Sequence, residues 1–366
     1  MDRRTFLVAA AHAGLSGIAG PVLAQQPPRV VFLNPGESVE RGAGPYWRLV
    51  AQAMTRAAST LGMRLEILYG ERDHLATLRQ AGQVAQRTEA PDYLIIVNEK
   101  LTAGPILKLF AGSRAKIFLI HNDLTPEQRQ ELGNERKKIA NWIGTMTSDS
   151  AGSGYLIVEY LYSQLRGEEP RIIGITGDPQ TPVARERAEG AAKYVARAGR
   201  GRIYQVVYGD WTYADGEQKA SVLLSRYPDT NLIWAANDSM AMGALRAVQA
   251  KGARVLVGGG GGWPDALKSI AEGGLTASAA GNFTVGAWVM VLLHDYHLGH
   301  DFAPDNGVNL TFEQVVVHRQ NVQRYEQVIF KGMDTLDVRP YSKVLQPRPG
   351  PYRFSLEDLV AGPKTR

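Results

Sequence analysis

From Arg29 onward the chain repeats one pattern: a short β-branched run stopped by Asn, Asp, Gly or Pro, then a longer run with apolar residues at helical spacing. RVVFLNPG (29–36) leads to YWRLVAQAMTRAASTLG (46–62), where Trp47, Val50, Met54, Ala57 and Leu61 mark one helical face and Gly62 stands at the expected end. MRLEILYG, DYLIIVNE and KIFLIHND read as further strands, with LATLRQAGQVAQR and GPILKLFAGS as helices between them. Strands alternating with helices predict a parallel sheet covered on both faces. After NWIGTMTSD (141–149) the alternation restarts: GSGYLIVEYLYSQL, RIIGITGD, ARERAEGAAKYVARAG, IYQVVYGD, EQKASVLLSRY, NLIWAAND, SMAMGALRAVQAKG, RVLVGG, ALKSIAEGG, TASAA and VGAWVMVLLHDYHLG. The fold class is therefore α/β, in two successive units. A chain of 366 residues fits two lobes, since single cores stop growing near ~250–300 residues. From about Asn309 the tail carries one strand-like run, FEQVVVHRQ, and an irregular Pro-rich end.

The first 24 residues stand apart. MDRRTFLVAAAHAGLSGIAGPVLA has a charged start, an apolar small-residue stretch and a Val-Leu-Ala end, the layout of a secretory signal peptide. The paired Arg3 and Arg4 resemble a twin-arginine signal, although Asp2 and Val8 depart from its usual pattern, so that route and general secretion both stay open. The expectation is an exported, soluble protein of the periplasm beginning near Gln25. The formal charge of +5 becomes 5 − 1 = +4 once Arg3, Arg4 and Asp2 are removed. ERKKIANW (135–142), the longest basic cluster, lacks the interleaved aromatics of a nucleic-acid platform and reads as a solvated helix end. No nucleic-acid partner is expected. Cysteine is absent, which excludes disulfides, thiolate metal sites and cysteine nucleophiles.

In parallel sheets ligands bind beyond the carboxyl ends of the strands. Those ends carry Asn34-Pro35-Gly36, Asn98-Glu99, His121-Asn122-Asp123, Gly177-Asp178, Gly209-Asp210-Trp211, Asn237-Asp238 and GGGGGW (258–263). Amides donate and accept, and aromatic faces cover apolar ring faces, a set suited to hydroxyl- or amide-rich small molecules. GGGGG lacks the Lys-Ser/Thr of a phosphate loop. HDYHLGH (294–300) lacks the HExxH spacing of a zinc site and reads as a polar helix end. No nucleophile elbow or Ser/His/Asp set can be assembled, so the chain is not expected to be an enzyme and needs no cofactor or metal.

WAANDSMAMGALRAV (234–248) resembles the NDxMAxGAxxA signature of type 1 periplasmic binding proteins, the ribose-binding-like family. ARERAEG (184–190), Pro45-Tyr46-Trp47, Asn98-Glu99 and SDSAGSG (148–154) match further motifs of that family in the same order, so the likeness runs from about Arg29 to Leu298. The resemblance implies two Rossmann-like lobes with parallel sheets, joined by a multi-strand hinge that closes on a ligand in the interlobe cleft. The expected boundaries are 1–24 for the signal, 29–148 plus 281–305 for the first lobe, 149–280 plus 306–345 for the second lobe and hinge, and 346–366 for the tail. The family likeness points to Tyr46 and Trp47 as rings flanking the ligand, Asn98 as an amide, Arg185 as the cleft cation, Trp211 as a second-lobe ring and Asn237 as a second-lobe amide. His121 or Asn122 falls where sugar binders carry an Asp-Arg pair, and Gly260 lies where they carry an aromatic followed by Asp. Asp123 is a candidate replacement for one lost aspartate, and Trp263 for a lid. Arg187 reads as a solvated ion-pairing residue, Asp238 as the cap of the following helix, and Met242, Leu245 and Val248 as its buried face. The resemblance thus implies a small polar ligand, sugar or sugar-like, and a monomeric binding protein serving an ABC permease, or alternatively a receptor presenting its ligand to a membrane sensor.

Overall fold

The computed structural model describes residues 26–356; the leader expected over 1–24 and the end of the tail lie outside the described residues. The first unit runs β1 (Arg29–Asn34), α1 (Tyr46–Thr60), β2 (Arg64–Tyr69), α2 (His74–Ala85), β3 (Tyr93–Val97), α3 (Ala103–Leu109), β4 (Lys116–Ile120), α4 (Pro126–Leu132) and β5 (Trp142–Ser148). The second runs α5 (Ser150–Gln164), β6 (Arg171–Thr176), α6 (Pro182–Ala198), β7 (Arg202–Tyr208), α7 (Tyr213–Arg226), β8 (Leu232–Ala235), α8 (Asp238–Ala250), β9 (Leu256–Gly261), α9 (Pro264–Glu272) and β10 (Ala277–Ala280). The chain then returns through α10 (Val285–His297), α11 (Ala303–Asn306), β11 (Asn309–Phe312), β12 (Val315–His318) and α12 (Val322–Ile329).

Two six-stranded sheets result, ordered β11-β5-β4-β3-β1-β2 and β12-β10-β9-β8-β6-β7. Every pairing is parallel except β10 with β12. Alternation along the strands shows why both faces are covered. In β1, Val30 and Phe32 join the core under α1 and α10, while Val31 and Leu33 join a second core with α2 and α3. Strands β3 and β4 divide their residues the same way. An all-apolar strand suits that arrangement and would aggregate in a sheet with one wet face.

Up to α12 the chain passes between the sheets at three places: β5 to α5, β10 to α10, and β11 to β12. The segment 306–345 thus supplies one strand to each sheet. The tail differs from the expected single strand with an irregular end. Strand β11 precedes β12, and α12 follows it, burying Val322, Tyr325 and Ile329 at helical spacing. Residues beyond α12 cross back to the first lobe. There the buried Asp295 of α10 accepts hydrogen bonds from Ser342 Oγ (2.5 Å), Lys343 N (2.6 Å) and Tyr352 OH (2.8 Å), and Phe354 stacks on Trp288. The C-terminal segment is thus packed into the fold as a brace.

The basic run and its neighbourhood also differ from expectation. Residues 134–141 form a turn rather than a helix end. Arg136, at φ +61°, pairs with Asp301 and donates to the Ile143 carbonyl, while Glu135 is buried against Arg129. The basic run therefore ties loops together. Helix α4, not anticipated, begins with a capping box between Thr125 and Gln128, a signal that stands in the sequence.

Candidate functional site

The carboxyl ends of both sheets face one another across a cavity of about 90 Å³, room for roughly six waters or one small molecule. Loops beyond strand ends of both sheets supply the wall. The first lobe gives Pro35, Gly36, Glu37, Glu40, Tyr46, Trp47, Arg48, Arg72, Glu99, Lys100 and His121; the second gives Thr181, Val183, Arg187, Trp211, Asn237, Gly260 and Trp263, and the crossover after β10 gives Asn282.

On the first-lobe side Tyr46, Trp47 and His121 form an aromatic cluster with centroids 4.8–5.1 Å apart. Trp47 packs so closely on Gly36 that a Cβ there would fall 2.1 Å from the Trp47 Cβ. The Tyr46 hydroxyl and His121 Nδ1 share a hydrogen bond of 2.6 Å. Burial, followed by the nearby Arg187 charge, pushes the His121 pKa down to about 3, and burial holds the Tyr46 phenol well above its usual range. Both groups are therefore neutral at pH 7. On the opposite side the Trp211 ring lies over Gly177, where a Cβ would meet it at 1.9 Å. Trp211 and His121 both hold positive φ, +72° and +68°, a costly conformation for residues with a Cβ.

Of the residues singled out in the sequence, Tyr46, Trp47, His121, Trp211, Asn237 and Gly260 line the cavity together. Asn98, Asn122 and Arg185 do not. Asn98 is buried and turned back into its lobe, donating to Asp123 O and Gln128 Oε1 and accepting from Ala103 N. Its neighbour Glu99 takes the wall position. Asn122 stands behind Glu99 and donates to its Oε2 at 3.2 Å. Asp123 is also turned away, paired with Arg129. Burial raises the Glu99 pKa, opposed by the Arg72 charge and the Thr181 hydrogen bond.

The two arginines of ARERAEG exchange places. Arg185 is exposed, whereas Arg187 is 5% exposed, donates to Ala236 O at 2.7 Å and lies 6.0 Å from the Trp211 ring centroid. Helical register explains it. Arg187 shares a face with Ala184, Gly190 and Ala191, all buried, and those small residues were the available sign of which arginine points inward.

Asn237 and Asp238 also exchange roles. Asn237 is the cap: its side-chain oxygen accepts from Met240 N and its amide donates to Trp211 O. It caps α8 and lines the cavity at once. Asp238 turns away from the helix end and accepts from Gly262 N (2.6 Å), Trp263 N (3.1 Å) and Ser278 Oγ (2.6 Å). The glycines of β9 make room for it, since a Cβ on Gly259 would sit 2.7 Å from the Asp238 carboxylate. Asp238 therefore pins the turn that carries Trp263 into the cleft wall. In α8 the deeply buried methionine is Met240, and Met242 is only half-buried.

The lobes touch directly around the cavity. Arg72 Nη2 donates to Asp210 O (2.8 Å), Thr181 Oγ1 to Glu99 Oε1 (3.3 Å) and Tyr213 N to Gly42 O (3.3 Å), with Lys100 Nζ 3.8 Å from Asp178. This is a closed cleft. Arg72→Ala is expected to weaken closure by about 1 kcal/mol, roughly fivefold in apparent ligand affinity, with the fold unchanged. Calorimetry on both proteins checks it; equal affinities would show that the contact contributes nothing to closure. The three histidines of 294–300 meet separate partners, Asp295, Tyr93 and Asp305, and no cluster suited to a metal occurs among the described residues.

Residues 38–300 match the family model described as periplasmic binding protein domain. A crystal structure of a periplasmic sugar-binding protein from Pseudomonas fluorescens aligns with 34% identity and a TM-score of 0.80, over 91% of this chain and 99% of that one. The ribose import binding protein RbsB of Salmonella typhimurium is 28% identical over 64% of this chain and 75% of its own length. The D-allose-binding periplasmic protein of Escherichia coli is 26% identical over 69% of this chain and 81% of its own length. These relatives are binding proteins rather than enzymes. With two parallel-sheet lobes closing on one cavity, the chain belongs to the periplasmic binding protein family.

Proposed function

We propose that this chain is an exported solute-binding protein that captures a small, polar, sugar-like molecule by hinge closure and delivers it to an ABC importer. One observation carries the reading: the loops of both lobes close on one cavity walled by Tyr46, Trp47 and His121 on one side and by Trp211, Asn237 and Trp263 on the other. Aromatic rings on both lobes suit the faces of a sugar ring. The names of the sugar-binding relatives support the same class. Closure buries the ligand, and the closed shape is what a membrane permease would read.

A thermal-shift screen over sugars, sugar acids, polyols and amino acids tests this. A ligand at 100 Kd should stabilise the protein by about 2.7 kcal/mol. Trp211→Ala is expected to lower affinity for that ligand by at least roughly tenfold, the loss of one desolvated aromatic contact. An equal response from wild type and variant would place the ligand outside this cleft. Capture of a permease by the liganded protein supports import, and capture of a sensor ectodomain instead would move the reading to signalling.

A further inference from the structure

Resting on that reading, we infer that the C-terminal segment 330–356 is a strap across the hinge, which holds the lobes closed and so sets how often the empty cleft opens. The segment is fastened at both ends. It starts from α12, which belongs to the second lobe and packs on α9 and β12. Its far end is anchored in the first lobe, where Ser342, Lys343 and Tyr352 hold Asp295 of α10. Lys343 Nζ also lies 2.7 Å from Asp305, and the Asn306 side chain bonds both the amide (2.7 Å) and the carbonyl (3.2 Å) of Tyr352. Residues 330–341 join the two anchorages. That link is itself tied to the first lobe, because Leu336 O accepts from Arg56 Nε of α1 at 2.9 Å.

The segment also lies on the crossovers that must bend. The passage from β10 to α10 starts at Gly281, whose φ is +97°. Leu356 is buried against it: a Cβ on Gly281 would fall 2.0 Å from Leu356 Cδ2. Two residues on, Phe283 meets Phe330 with ring centroids 5.8 Å apart. Residues 352–356 wall a groove together with residues 312–315, the passage from β11 to β12. Beside the hinge, Val328, Ile329 and Leu336 share one small cavity of about 20 Å³ with Ala53, Ala287 and Trp288 of the first lobe. All these contacts are made with the cleft closed. Opening turns α12 with the second lobe, away from α1 and α10, while residues 342–356 stay with the first. The link must then stretch, and the Arg56–Leu336 bond and the packing of Val328 and Ile329 are given up. Contacts present in one state and lost in the other shift the population toward the first. A larger closed population also raises the apparent affinity for whatever solute the closed cleft holds.

The test reads the lobes directly. The chain has no cysteine, so Leu75→Cys on α2 and Val222→Cys on α7, both exposed positions, carry one spin label per lobe. Electron-spin distance measurements on the full chain, freed of ligand by unfolding and refolding, give its open and closed populations. Two changes loosen the strap. Arg56→Ala removes the tie to Leu336, and a Gly-Ser-Gly-Ser insertion between the exposed Asp334 and Thr335 lengthens the link while leaving both anchorages in place. Each should raise the open-to-closed ratio by about fivefold, the scale of one lost hydrogen bond; circular dichroism confirms that each variant is folded. Unchanged ratios in both variants, beside a wild type that samples the open state, overturn the strap and leave capture by hinge closure standing. A single distance matching the closed structure in wild type and both variants overturns hinge capture as well.

Discussion

Asp238→Ala is expected to cost about 3–5 kcal/mol of folding stability, because it leaves the Trp263 amide and the Ser278 hydroxyl buried without an acceptor. Urea unfolding at pH 7 measures it, and a loss below about 1 kcal/mol would mean that the carboxylate is not the hub of this buried turn. The same residue predicts a pH effect. Burial pushes the Asp238 pKa from 3.8 up to about 6, against the pull of Ser278, the two amides and Arg187. The folded state then binds this proton more tightly than the unfolded one. The stability contribution of the group is fully present below about pH 3.8 and is lost as pH rises through about 6. Asp238→Asn keeps the shape, can still accept from Gly262 and Trp263, and removes the titration. Its stability relative to wild type should therefore improve by about 2–3 kcal/mol between pH 4 and pH 7. A flat difference across that range would exclude a raised pKa at this position.

The second large effect is steric. Helices α5 and α6 meet backbone to backbone: a Cβ on Gly190 would fall 1.8 Å from the Ala151 carbonyl oxygen, and one on Gly154 would fall 2.0 Å from that of Arg187. Neither oxygen belongs to a side chain that can swing aside. Gly190→Val should force the helices apart, destabilising the protein by about 3 kcal/mol, the upper range for overpacking. Arg187 lies one turn before Gly190, so ligand binding should fall with it, while Glu189→Ala, on the exposed side of α6, should change stability by less than about 0.5 kcal/mol. Denaturant unfolding paired with ligand titration separates the outcomes. A Gly190→Val protein that binds normally would show that α6 does not position Arg187.

The sequence determined the architecture. Short β-branched runs alternating with helical runs can bury their apolar residues only in a parallel sheet covered on both faces, and the single restart specifies two such sheets. It also placed the cleft, because strand ends are legible and ligands bind beyond them, and it identified the aromatic wall at Tyr46, Trp47 and Trp211. Tertiary structure decided which neighbour at each strand end faces the cavity. Asn98 and Glu99, Asn237 and Asp238, and Arg185 and Arg187 are pairs that motif order cannot separate. One residue along a strand end or two along a helix reverses the direction of a side chain, and the direction chosen depends on partners far away in sequence. Asn98 turns inward because Ala103, Asp123 and Gln128 need its amide. Asp238 turns inward because Gly262, Trp263 and Ser278 need its carboxylate. Arg187 is carried to the cavity because glycines let α5 and α6 touch.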